Sequence, residues 1–169
     1  GNTYLIPTGY LSNKDDLDKV QQKTVTIDLL YPSFKPAINK RSWHELYRQG
    51  EAIRILIRTT SVTAKDVIKR YKKRAQEENF SVATDGAITK YFPQGDSIFY
   101  KYLYEQDDLV IFLTCTQGAN KHEGVDTCSN RYSELPDNVH FTYMFVDKLL
   151  PQLLDIDNKS KQFILSIKE

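Results

Sequence analysis

The chain has 169 residues, 40% apolar and 27% charged, which suits one globular domain with its own core and excludes a disordered tract. Its 23 basic and 22 acidic residues leave a net charge of +1, so the chain lacks the overall basic excess of a nucleic-acid binder. No run approaches the roughly 18 apolar residues that a membrane-spanning helix needs.

Residues 1–23 read as an N-terminal tether. The opening Gly1-Asn2-Thr3 has the form of a processed or trimmed start. Apolar residues cluster in Tyr4-Leu5-Ile6 and Tyr10-Leu11, and a weak helix from Ser12 would have only Leu17 and Val20 to bury. Thr24–Tyr31 alternates as a strand, ended by Pro32 and Pro36. Ser42-Trp43-His44-Glu45 is a capping-box pattern for a short helix that Gly50 stops. Ile53–Thr59 is a second strand. Thr63 then caps the strongest helical pattern in the chain, with Ala64, Val67, Ile68, Tyr71 and Ala75 on one side.

From Phe80 the pattern is a strand meander. Phe80–Thr84 and Ile88–Phe92 flank the turn signal Asp85-Gly86, and Ser97–Glu105 and Leu109–Thr116 flank Gln106-Asp107-Asp108. Residues 117–135 read as a long loop. Phe141, Phe145, Leu149 and Leu153 recur at helical spacing, yet Val139, Phe141, Tyr143 and Phe145 also alternate. A helix, or a strand followed by a helix, fits this stretch, with Pro151 a kink or restart. Phe163, Leu165 and Ile167 suggest a last strand. The fold class expected is α/β of the α+β kind: a largely antiparallel sheet flanked by two main helices, one domain over 24–169. The 11 Tyr and 8 Phe, against one Trp, also favour sheet.

Two cysteines, Cys115 and Cys128, flank a polar, glycine-bearing segment. A disulfide stapling the base of that loop is the expectation, since free cysteines prefer apolar surroundings. The histidines, His44, His122 and His140, stand at no metal-ligand spacing, and the chain has no Cys-x-x-Cys. Neither a nucleophile elbow nor a phosphate-cradling glycine loop occurs, so no catalytic residue, metal site or cofactor is assigned. The run Lys69-Arg70-Tyr71-Lys72-Lys73-Arg74 reads as a solvated helix face, with a phosphate-binding module as its sharper alternative. Tyr100, Tyr102 and Tyr104 line one face of a strand, either packed under a helix or part of a recognition surface.

The chain resembles small proteins of the bacterial cell envelope. Thr8-Gly9-Tyr10-Leu11-Ser12 resembles the opening of mature lipoproteins, where a tether follows a lipidated Cys; that Cys is not in this sequence. The strand–helix–meander–helix order over 24–155 resembles PsbP/Mog1-type sandwich domains, whose relatives include periplasmic immunity proteins. The resemblance implies a non-enzymatic binding protein in the periplasm, lipid-anchored, acting as an immunity or envelope-assembly factor on a protein partner. The chain's own order, in which the polar cysteine loop emerges beside Tyr100, gives the expected contacts: Tyr100, Tyr102, Lys121, His122, Glu123, Asp126 and Arg131. Two other readings stay open: a small envelope enzyme or ligand carrier with a pocket between sheet and helix, and a nucleic-acid module using residues 69–74.

Overall fold

The computed structural model describes residues 4–7, 10–11, 24–37, 43–58, 63–95, 97–116, 126–135 and 139–168, without the side chains at 43–44, 131–134 and 139. The expected helix from Ser12 lies outside these residues. In chain order the elements are β1 (Thr24–Leu30), α1 (Trp43–Arg48), β2 (Ala52–Arg58), α2 (Ala64–Glu77), β3 (Ser81–Asp85), β4 (Ile88–Phe92), β5 (Phe99–Gln106), β6 (Leu109–Thr116), β7 (Thr127–Leu135) and β8 (Val139–Val146). A 3-10 helix (Asp147–Gln152) then leads into α3 (Leu153–Ser166).

The strands form one sheet of eight, ordered β1-β2-β8-β7-β6-β5-β4-β3, with every neighbouring pair antiparallel. Strands β3 to β8 are a meander, each beside its predecessor. Helix α2 carries the chain from β2, second from one edge, to β3 at the other edge. The sheet so dominates that the helices serve as its covers, which refines the expected balance of sheet and helix.

Local sequence explains most of these elements. In β2, Ile53, Ile55 and Ile57 are buried on one face while Arg54 and Arg58 lie on the other. Thr63 caps α2: its hydroxyl accepts from the Asp66 N–H at 3.2 Å. Ile68 and Ala75 of α2 are buried against Tyr91, Leu103 and Phe112, one strand apart on β4, β5 and β6. Gly50, at φ +67°, ends the turn after α1 in a conformation that strains other residues.

The opposite face carries the larger core. Ile27, Ile55, Tyr143, Phe141 and Phe145 meet Leu153, Ile156 and Ile164 of α3. Asp157 is buried in this layer at 2% exposure. It accepts from the Tyr143 hydroxyl at 3.0 Å and from Lys161 Nζ at 2.6 Å. The N-terminal segment joins this side. The Leu5 N–H donates to the Ile167 carbonyl at 2.7 Å, and the Tyr10 ring lies 5.3 Å from that of Phe163.

Two expectations are corrected. Residues 163–166 are not a strand: they continue α3, with Ile167 as its C-cap, and its buried positions Leu153, Ile156, Asp157, Ser160 and Ile164 follow a helical stripe. Leu165, read as an inward strand residue, is 47% exposed. Nor does the loop after Cys115 extend to residue 135, since β7 begins at Thr127. Its sequence is too polar to announce a strand, because β7 is held from both sides by β6 and β8 and needs little pattern of its own. For 139–153 the strand-then-helix alternative holds, with Pro151 inside the 3-10 helix that joins the two.

Two predictions follow from this packing. Ile164→Ala should cost about 2–4 kcal/mol in urea unfolding and Leu165→Ala less than about 0.5 kcal/mol; a strand at 163–167 with Leu165 inward would reverse that order. The second concerns alkaline pH. Burial first, then the hydrogen bond and charge of Asp155, pushes Tyr31 up to about 12. Burial, with Glu78 adding, pushes Tyr71 up to about 12 against the opposing Arg74. The unfolded chain therefore releases these protons first, and the stabilisation present below about pH 10 is lost as pH rises toward 12. Urea midpoints should fall across that window, and fall less steeply in a Tyr31→Phe, Tyr71→Phe double variant.

Candidate partner-binding surface

The register of the central strands builds one end of the sheet into a braced platform. Cys115 of β6 stands opposite Cys128 of β7, and the two form a disulfide with Cα atoms 4.1 Å apart. Both are fully buried. Directly beyond them, the Thr127 N–H donates to the Thr116 hydroxyl at 2.8 Å. The Asp147 N–H donates to the Asp126 carbonyl at 2.9 Å, so the start of the 3-10 helix is tied to the same point. The segment 117–125 thus leaves and re-enters the sheet between two strands fixed by a covalent bond and by backbone pairing.

Tyr100 lies across β6 from this base, paired with Cys115. Tyr100, Cys115, Cys128 and Phe145 make a rank across four strands on the α3 side. The Phe92 ring stacks on Tyr100 at 5.4 Å. Burial raises the Tyr100 phenol above its ordinary value, and the carboxylates of Asp147 and Asp126 raise it further. The phenol therefore stays protonated at neutral pH, an amphipathic group beside two acids.

The expected contact residues separate into four groups. Tyr100 and Asp126 come together at the braced end. Tyr102 is only 5% exposed, lying in a second rank between Lys90 and Leu113, so it supports the platform rather than facing out from it. Lys121, His122 and Glu123 lie outside the described residues. Arg131 stands on β7, at the register shift between Asn130 and Ser133, and not in the loop. Sequence reasoning missed Phe92 and Asp147. The end of the Phe141–Phe145 alternation, just before Asp147, was the available signal for the latter.

Two other regions bear on function. A groove of about 450 Å³ runs between the end of α2 and β3–β4, lined by Lys72, Ala75, Gln76, Asn79, Phe80, Val82 and Tyr91. This is an open groove between sheet and helix. The basic run on α2 is largely engaged with acids. Lys72 pairs with Glu105 at 2.9 Å, Arg74 with Glu78 at 2.8 Å and Lys73 with Glu77 at 3.6 Å. Among the described residues, no group of three His, Cys, Asp or Glu side chains could hold a metal ion.

Among the described residues, the class of protein is an eight-stranded antiparallel sheet with α2 on one face and α3, α1 and the 3-10 helix on the other, braced at one end by a buried cross-strand disulfide. No family model matches the chain, and no curated protein matches it. Among solved structures it is similar to Smlt3025, an immunity protein of the Stenotrophomonas maltophilia type IV secretion system. The TM-score is 0.69 at 14% identity, covering 99% of this chain and 90% of that one. The two chains share a fold.

Reduction offers a test of the brace. In the loop-closure account, Cys115→Ala with Cys128→Ala should lower unfolding stability by about 3 kcal/mol. The native sulfurs, buried as they are, should resist alkylation under mild reductant until the protein unfolds; rapid alkylation of native protein would contradict this packing.

Proposed function

We propose that this protein is a non-enzymatic binding protein that neutralises a secreted toxic protein by direct contact, an immunity factor of the bacterial envelope. The observation that carries this reading is the near end-to-end fold match. The match covers 90% of Smlt3025, an immunity protein, which supports the same kind of role for this fold here. The buried disulfide supports an oxidising, periplasmic compartment. Lipid attachment through a segment preceding residue 1 belongs to the same proposal, the tether lying ahead of Leu5 and Tyr10, which already pack on α3.

The contact surface we assign is the braced end: Tyr100 and Asp126, joined by Lys121, His122 and Glu123 of the connecting segment, with Arg131 at the flank and Tyr102 beneath. Holding the base of the segment still lowers the entropy lost on docking. A tyrosine among mixed polar groups suits the centre and rim of a protein interface. The ligand-carrier reading rests on the groove beside α2, which lies on the other face of the sheet and gives a separate test.

Co-expression decides between them. The protein, exported to the periplasm with the toxin-like product of an adjacent gene, should restore growth and form a complex measurable by calorimetry. Tyr100→Ala and Asp126→Lys should each weaken that complex by about tenfold or more in protein that remains folded at the assay temperature, Tyr100→Ala also lowering the melting temperature because its ring packs on the core. Val82→Glu, in the groove, should leave it intact. Loss of protection only with the groove variant would reject the braced end, and absence of any complex would reject the immunity reading.

A further inference from the structure

The two edges of the sheet are finished differently. At the β1 edge, isolated bridges join Ile27 to Leu11 and Leu29 to Pro36, so neighbouring chain covers it. At the far edge β3 pairs with β4 alone, and among the described residues no bridge reaches its outer side. All of Ser81–Asp85 is exposed, with Val82 at 55%. Edge strands are commonly guarded by proline, charged side chains, shortness or a bulge. Ser81-Val82-Ala83-Thr84-Asp85 has no proline, its one charge is Asp85 at the hairpin end, and its register with β4 runs unshifted from Ser81 to Asp85.

The hairpin geometry fixes which backbone groups face outward. Gly86 and Ala87 make a two-residue connection, with Gly86 at φ +56°. In such a hairpin the flanking pair, Asp85 and Ile88, exchanges both backbone hydrogen bonds, and bonded pairs then alternate along the strands. Ser81, Ala83 and Asp85 therefore turn toward β4, while Val82 and Thr84 turn their N–H and C=O groups outward. The Glu105 N–H donating to the Ala87 carbonyl at 2.8 Å agrees with this parity, since it turns Ala87 away from β3.

We propose that the protein self-associates through β3, two copies pairing antiparallel about a twofold axis at Ala83. This register overlays the whole strand. Val82 stands opposite Thr84 of the second copy, so the outward groups of both residues exchange two hydrogen bonds, and the symmetric pair repeats them. The side chains are complementary in the same register. Two β-branched residues, Val82 and Thr84, meet on the α2 side, a favourable cross-strand pair. On the other face the Ser81 hydroxyl meets the Asp85 carboxylate, twice, and like charges never stand opposed. Ala83 faces its own copy at the axis, the close, non-bonded spacing where a small side chain fits. Pairing also covers exposed Val82 and extends the wall of the groove it lines, and it doubles the eight-stranded sheet.

Light scattering over a concentration series tests this on the intact chain. The expected result is a dimer whose fraction rises with concentration. Ala83→Lys and Ala83→Glu each place like charges at the axis and should weaken the dimer about fivefold or more, while an equimolar mixture of the two should restore it. Ala83 is exposed, so the melting temperature should not move. Ala83→Cys should cross-link two copies under mild oxidation, because the axis pair has the cross-strand spacing at which Cys115 and Cys128 bond, 4.1 Å between Cα atoms. A chain that stays monomeric up to about 1 mM overturns the proposal and leaves the edge to a strand of another protein. A dimer unchanged by all three substitutions overturns it as well.

Discussion

The hydroxyl of Tyr143 donates to a carboxylate, Asp157, that has almost no contact with water. A buried charge is costly unless it is paired and hydrogen-bonded. Asp157 meets that condition in one seating of α3, with Tyr143 of β8 on one oxygen and Lys161, one helical turn on, at the other. That constraint fixes the rotation of α3 over the sheet. Ile156 and Ile164 then face the core, and Leu154 and Leu165 face solvent. The N-terminal segment docks on α3 in turn, through Leu5 at Ile167 and Tyr10 at Phe163.

Tyr143 also belongs to a rank that runs through the middle of the sheet. Lys90, Tyr102, Leu113, Asn130, Tyr143, Ile55 and Ile27 stand side by side on seven strands. The rank shows how one strand-side can be core at its centre and half-open toward an edge. Tyr102 is buried there, while Tyr100 and Tyr104 on the same strand face are only partly covered. Cover is shared between the faces: α2 serves β4 to β6 on one, and α3 serves the strands around β8 on the other.

Function in this account is a matter of placement. The cross-strand disulfide, the Thr116–Thr127 bond and the Asp126–Asp147 bond converge at one end of β6 and β7. Each removes freedom from the base of the segment between the cysteines. A partner docking there would meet a surface whose support is already ordered, so more of the contact energy would appear as affinity.

Local pattern by itself determined a large part of this protein. The isoleucine alternation of β2, the Thr63 cap of α2, the hairpins at Gly86-Ala87 and Asp107-Asp108 and the pairing of the two cysteines all follow from residues close in sequence or from compositional logic. The expected placement of Tyr100 beside the base of the cysteine loop also holds, because hairpin register fixes it. Tertiary structure alone decided β7, the end of α3 and the burial of Tyr102. Strand β7 is polar and reads as loop, yet two flanking strands satisfy its backbone. Phe163, Leu165 and Ile167 alternate like a strand, yet Asp157 and Ile164 commit the segment to a helical stripe. Tyr102 and Tyr100 are equivalent in sequence, and only the reach of the neighbouring elements makes one core and the other surface. In each case the deciding partner lies on another element, where no local period can report it.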